Sequence, residues 1–241
     1  MRLQFKIPVA LFLLFTTLMV SGQGSNDKKK IMDLFLKSQK VYENNTVFKL
    51  DLNYKLFTTY KSNAVSETYD GVLFKNGEEY YSKIASTEFI KIGSISLKID
   101  NASKLIELSS ENSKIQLNDL YDLNSMVSNF DVFELTSNAD FWICSLTAPR
   151  ITFVPYGKVV IHIHKTKHTI SKQVLYLLTQ NKYKNKDGKI VMDYPRLEIN
   201  FSNFTTAPID FKSRFDKETY LVQRNKKYYP AGSYKNYKIV D

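Results

Sequence analysis

The chain has 241 residues, a formal net charge of +10, 43% hydrophobic residues and 16 Tyr and 16 Phe. With eight Gly and six Pro, that composition excludes a disordered or fibrous polymer and is enough for one large domain with its own core. One cysteine, Cys144, excludes an internal disulfide, and its apolar setting in Phe-Trp-Ile-Cys-Ser-Leu marks it as a small buried hydrophobe rather than a nucleophile.

The N-terminus reads as a targeting segment. Arg2 and Lys6 precede an apolar run from Ile7 to Val20, broken only by two threonines, and small residues follow at Ser21, Gly22 and Gly24. That order predicts a signal peptide over 1–22, cleaved near Gly22 or Gln23. The run is short of the roughly 20 residues that span a bilayer. No cysteine follows it, so no lipid anchor is expected. Removal of 1–22 leaves a charge of +8 and a single domain over 26–241. The predicted location is exported and periplasmic, soluble after cleavage.

Residues 26–44 predict a helix, because Ile31, Leu34, Phe35, Ser38, Val41 and Tyr42 share one face. Next, Phe48, Leu50, Leu52, Tyr54 and Leu56 alternate with Lys49, Asp51, Asn53 and Lys55, the mark of a strand with one dry and one wet face. Segments 68–77 and 78–85 flank the hairpin dipeptide Asn76-Gly77. Short strands follow at 87–93, 94–100 and 104–110. Residues 117–135 lose the alternation and predict one or two short helices. Strands resume at 140–148, 150–155, 158–165, 168–180, 189–195 and 196–204, with a turn at Asp187-Gly188. A tyrosine-rich extension, about 223–241, could add a last strand. The fold class is therefore α+β and mostly β, a curved antiparallel sheet (an incomplete barrel) covering an N-terminal helix and a helical insert.

Catalytic signatures are lacking: the chain has no G-x-S-x-G, P-loop, G-x-G-x-x-G or H-E-x-x-H. All three histidines lie in Ile-His-Ile-His-Lys-Thr-Lys-His, 161–168. His162 and His164 share a strand face and could converge on a metal, but a site would need carboxylates from elsewhere. The simpler reading puts the isoleucines in the core and the histidines on the wetter face. No catalytic residue, metal or cofactor is expected, and the chain reads as non-enzymatic. Lysines at 28–30, 165–167, 181–189 and 224–227 match no nucleic-acid-binding module, so no nucleic acid is expected, and transient contact with an anionic membrane surface is.

The order of elements resembles the LolA-type periplasmic lipoprotein-carrier family. Residues 69–84, from Tyr-Asp-Gly-Val-Leu-Phe-Lys-Asn-Gly to Tyr-Tyr-Ser-Lys-Ile, are similar to that family's second strand. Residues 97–109, with their aspartate and lysine, are similar to its strand–turn–strand. Residues 196–216 are similar to its closing Ile-x-Phe…Pro…Phe segment. The resemblance implies an incomplete barrel closed by helices around a hydrophobic cavity for acyl chains. Phe48, Leu50, Leu52, Tyr54 and Leu56 are then the candidate ligand-binding face, with a lipid or lipoprotein acyl chain as partner. Neither Arg150 nor Arg196 matches the arginine that the family places in its cavity. The alternatives are an envelope protein-interaction module with a solid core and a protein partner, and a metal-dependent hydrolase using His162 and His164.

Overall fold

The computed structural model describes residues 21–110, 123–185, 187–207 and 213–240. Residues 1–20 of the expected signal peptide, and residues 117–122 of the expected helical insert, lie outside these. Among the described residues no helix is long and apolar enough to cross a membrane.

Helix α1 runs Ser21–Asn44 and buries Ile31, Leu34, Phe35, Ser38 and Tyr42, the stripe that the sequence periodicity predicts. The strands are β1 (Val47–Phe57), β2 (Val65–Asn76), β3 (Glu79–Ile84), β4 (Thr87–Ile92), β5 (Ile95–Asp100) and β6 (Leu105–Ser110). After the short helix α2 (Leu123–Val127) come β7 (Val132–Ser137), β8 (Phe141–Thr147), β9 (Tyr156–His164) and β10 (Ile170–Leu177). A separate hairpin, β11 (Asn181–Lys184) and β12 (Ile190–Asp193), precedes β13 (Arg196–Thr205). The chain closes with the hairpin β14 (Leu221–Arg224) and β15 (Lys227–Pro230), then β16 (Lys238–Val240).

Twelve strands form one curved sheet that does not close into a barrel, in the order β16-β6-β5-β4-β3-β2-β1-β13-β10-β9-β8-β7. Every pairing in it is antiparallel except β16 on β6, which is parallel. The expected α+β, mostly β class with an open sheet is what the chain forms.

The two halves of the sheet are covered on opposite faces. In the register of β1 against β2, Leu50 opposes Leu73, and both lie in the core with α1. That core continues through Leu146, Ile161, Ile163 and Ile199, and α2 adds Leu123 and Val127. The next residue along β2, Phe74, points the other way, as side chains alternate along a strand. It joins Tyr81, Ile90, Leu97, Ile99 and Ile106 in a second core, extended by Ile239 of β16 and roofed by Tyr220, Leu221 and Tyr234 of the C-terminal segment. At about 1.5–3 kcal/mol for each large apolar side chain buried, neither cover is dispensable. The tyrosine-rich tail thus supplies a roof as well as a last strand.

Three expectations change. Residues 132–135, assigned to the helical insert, belong to β7, where Val132 is exposed, Phe133 buried and Glu134 exposed. Pairing with β8 imposes that alternation. Residues 150–155, assigned to a strand, form a loop. The Ala148 N–H bonds the Gly157 carbonyl at 2.9 Å, so the β8–β9 ladder closes directly and 149–155 is looped out between Pro149 and Pro155. Finally, the strand expected at 189–195 is β12 (Ile190–Asp193), which pairs only with β11, apart from the large sheet.

Candidate ligand-binding site

The inner face is defined by α1. Its second turn is tied to the outer edge of the sheet, where the Leu135 N–H of β7 donates to Asp27 Oδ2 at 3.1 Å. Near its other end, the Ile170 N–H of β10 donates to the Tyr42 hydroxyl at 3.0 Å. The Tyr42 ring packs against Phe48 and Phe204, with centroids 5.9 and 5.6 Å away, and burial pushes its phenol up to about 12. The helix is therefore a bar pinned across the inner face at two points.

Beneath it lie the strand residues that the alternation selects. Phe48, Leu50, Leu52 and Tyr54 are buried in the core against α1, and Leu56 is half-buried towards the rim. Tyr54 lies over Gly71. A Cβ at position 71 would stand 3.2 Å from the Tyr54 ring and 3.0 Å from the Lys83 carbonyl, so the missing side chain makes the space. Burial raises the Tyr54 phenol to about 12, and its hydroxyl has no hydrogen-bond partner. The hydroxyls of Ser38 on α1 and Ser82 on β3 are also buried and unpartnered. Three such groups are a notable cost in an otherwise apolar layer.

Between α1 and the β7–β8 edge of the sheet is a groove of about 360 Å³. Leu34, Leu135 and Trp142 supply its apolar surface, and Asp27, Lys30, Asp33 and Lys37 of α1 line it as well. Leu135 opposes Cys144, and Trp142 opposes Ile163, so both project from the same face as the core. The Lys165 ammonium sits 5.0 Å from the centre of the Trp142 ring. Trp142 and Leu135 were not among the sequence candidates. The signal that could have found Trp142 was the chain's one tryptophan, standing on the core-facing side of a strand near the sheet edge.

The histidines stand on the opposite face. His164 Nδ1 accepts from the Thr166 and Lys167 N–H groups at 3.3 and 3.4 Å, closing the turn. His168 lies in that turn with φ of 54°. His162 is edge-on to Phe141, and its pKa is lowered by burial and by Lys172, against an opposing pull from Glu198. Glu198 is the nearby carboxylate, and it is taken: Lys172 and Arg196 bond it at 2.9 and 3.0 Å. Burial pushes the Glu198 carboxyl up, but those two cations outweigh it and hold it below the usual range. Among the described residues no group of three His, Cys, Asp or Glu could hold a metal ion. Cys144 is buried, and desolvation raises its thiol to about 12.

Arg196 is a fastener. Its guanidinium stacks 3.9 Å above the Phe57 ring, and Nη1 donates to the carbonyls of Thr59, Tyr60 and Ser62 at 3.2, 2.9 and 2.6 Å. Arg150 is exposed in the β8–β9 loop. Neither lines the inner face.

No family model matches the chain, and no curated protein matches it in sequence. Its fold is similar to solved structures. One is a LolA superfamily protein from Nitrosomonas europaea, at 13% identity, covering 77% of this chain and 97% of that one, with a TM-score of 0.36. Another is the lipoprotein LppX from Mycobacterium tuberculosis, at 8% identity over 76% and 98% of the two chains, with a TM-score of 0.40. A third is LprF from Mycobacterium bovis, at 10% identity over 78% and 97%, with a TM-score of 0.37. The likeness is one of fold alone.

Proposed function

We propose that the chain is an exported, non-enzymatic carrier or binder of a lipid or lipoprotein acyl chain in the bacterial cell envelope. The observation that best supports this reading is the groove between α1 and the β7–β8 edge. Its volume of about 360 Å³ suits part of a hydrocarbon chain, and its apolar surface adjoins the core under α1. Lys30 and Lys37 at the groove suit a carboxylate or phosphate at the end of that chain. Acting as a lid, α1 would expose Phe48, Leu50, Leu52 and Tyr54 as it lifted, and would give the Ser38, Tyr54 and Ser82 hydroxyls a polar partner in the ligand. A rival reading, a protein-interaction module built on the tail, gains no support from Tyr228, Tyr234 and Tyr237, which pack against the second core.

The test is lipid extraction and native mass spectrometry on protein from its own host, followed by titration with a dansyl-labelled fatty acid. Energy transfer from Trp142 should saturate at one site, and Leu34→Arg or Leu135→Arg should weaken it by at least about tenfold, the equivalent of ~1.4 kcal/mol. A protein that carries no lipid and shows no saturable binding would sink the proposal.

A further inference from the structure

One rim of the sheet gathers side chains that a water-facing surface does not need. Phe57 pairs with Arg196, Tyr176 with Arg196, Leu177 with Tyr156, and Thr147 with Lys158. The loops beyond these strand ends therefore lie side by side: 58–64, 148–155 and the β11–β12 hairpin with its flanks. On them Phe153 is 103% exposed, Ile151 84%, Ile190 70% and Met192 55%. Leu178 and Tyr194 are exposed too.

These groups sit on an anchored platform. The Leu178 N–H bonds the Pro155 carbonyl at 2.9 Å, tying the loop to the end of β10. The Tyr60 hydroxyl donates to the Leu177 carbonyl at 2.5 Å, and its ring packs on Tyr176 and Tyr194. Arg196 fixes the 58–64 loop through three carbonyls. Loose loops would fold such apolar tips inward; here the backbone holds them out.

Charge says what covers them. In the hairpin, Lys182 opposes Met192 and Lys184 opposes Ile190, and all four are exposed. Two cations thus flank two apolar side chains on one face, while Asp193 is turned to the other. Among the described residues this rim carries Lys61, Arg150, Lys158, Lys182, Lys184 and Lys189, against Glu67, Asp131, Asp187 and Asp193. Apolar tips ringed by lysines match an anionic bilayer, whose acyl layer takes the tips and whose phosphates take the cations.

We infer that this rim docks on an anionic phospholipid surface, with Ile151, Phe153, Ile190 and Met192 entering the acyl layer. The inference goes beyond acyl-chain binding in the groove. The two are read by different probes, and either can fail alone.

The experiment places an indole in the loop by Phe153→Trp in the full chain carrying Trp142→Phe. The probe is mixed with vesicles of phosphatidylcholine plus phosphatidylglycerol, or of phosphatidylcholine alone, with and without acyl-brominated lipid. Emission should shift to the blue and be quenched by the brominated lipid on the anionic vesicles. Binding should be roughly tenfold weaker on phosphatidylcholine alone and after Lys182→Glu with Lys184→Glu. It should be lost after Ile151→Ser, Ile190→Ser and Met192→Ser together. Because the probe reports only its own loop, attachment through Ile7–Val20 leaves it unquenched. Vesicle-bound protein with an unquenched indole overturns the inference, as does capture of a protein partner by this rim without any vesicle binding.

Discussion

Arg196 shows how much a single side chain can organise. It is 9% exposed, and it joins Glu198, the Phe57 ring and three loop carbonyls into one cluster. Removing it leaves Glu198 half-paired and three carbonyls without their donor. Arg196→Ala should lower unfolding stability by about 2–4 kcal/mol in urea titration. Arg196→Lys should recover only part, since an ammonium cannot replace the planar fork that bonds and stacks at once. Acid sensitivity should follow. The Glu198 pKa is lowered in the folded chain, so its stabilisation is present above the ordinary carboxylate range and lost as pH falls through the folded value. In Arg196→Ala the midpoint of acid unfolding should move to higher pH.

At the scale of elements, α1 protects the sheet as well as covering it. The strand β7 is an edge, and edges offer unpaired N–H and C=O groups to other chains. Asp27 takes one of them, the Leu135 N–H. Asp27→Ala should speed hydrogen exchange at Leu135 and raise the tendency to associate, read by exchange mass spectrometry and light scattering. Periodicity made most elements legible. The stripe on α1 and the alternation of β1 are long, and each has one buried face. Legibility ended where partners rather than local pattern decide. Residues 132–135 lack a run long enough to distinguish a strand from a helix, and pairing with β8 settles it. Ile151 and Phe153 read as strand residues because apolar alternation normally means burial, which this loop violates. The candidate site was half legible. Alternation could nominate Phe48 to Leu56, but none of them lines the groove, which depends on where α1 crosses β7 and β8, a tertiary fact.

For the whole molecule, the division into two cores on opposite faces gives part of the tyrosine-rich composition its place. The second core takes in Tyr81, Tyr220, Tyr228, Tyr234 and Tyr237, and hydroxyls at its margin find partners: Tyr234 donates to Glu88 and Tyr237 to Asn101, each at 3.0 Å. Burial, helped by the neighbouring Glu88, raises Tyr81, Tyr220 and Tyr234 above the usual phenol range. Tyr42 and Tyr54 in the first core rise to about 12 by burial. A pKa raised by folding gives stability that is complete below the unfolded value, near 10, and lost as pH climbs through the folded one. Denaturant midpoints should therefore fall steeply above pH ~10, and absorbance titration should show the buried phenols ionising only as the chain unfolds. The parallel strand β16 adds a matter of timing. Its partner β6 lies more than a hundred residues earlier in the chain, so this pairing closes one of the longest loops in the molecule. Residues 238–240 are synthesised after every other strand of the large sheet. Until they arrive, β6 is an open edge and the second core lacks Ile239, so a chain ended before Lys238 should aggregate more readily than the full one.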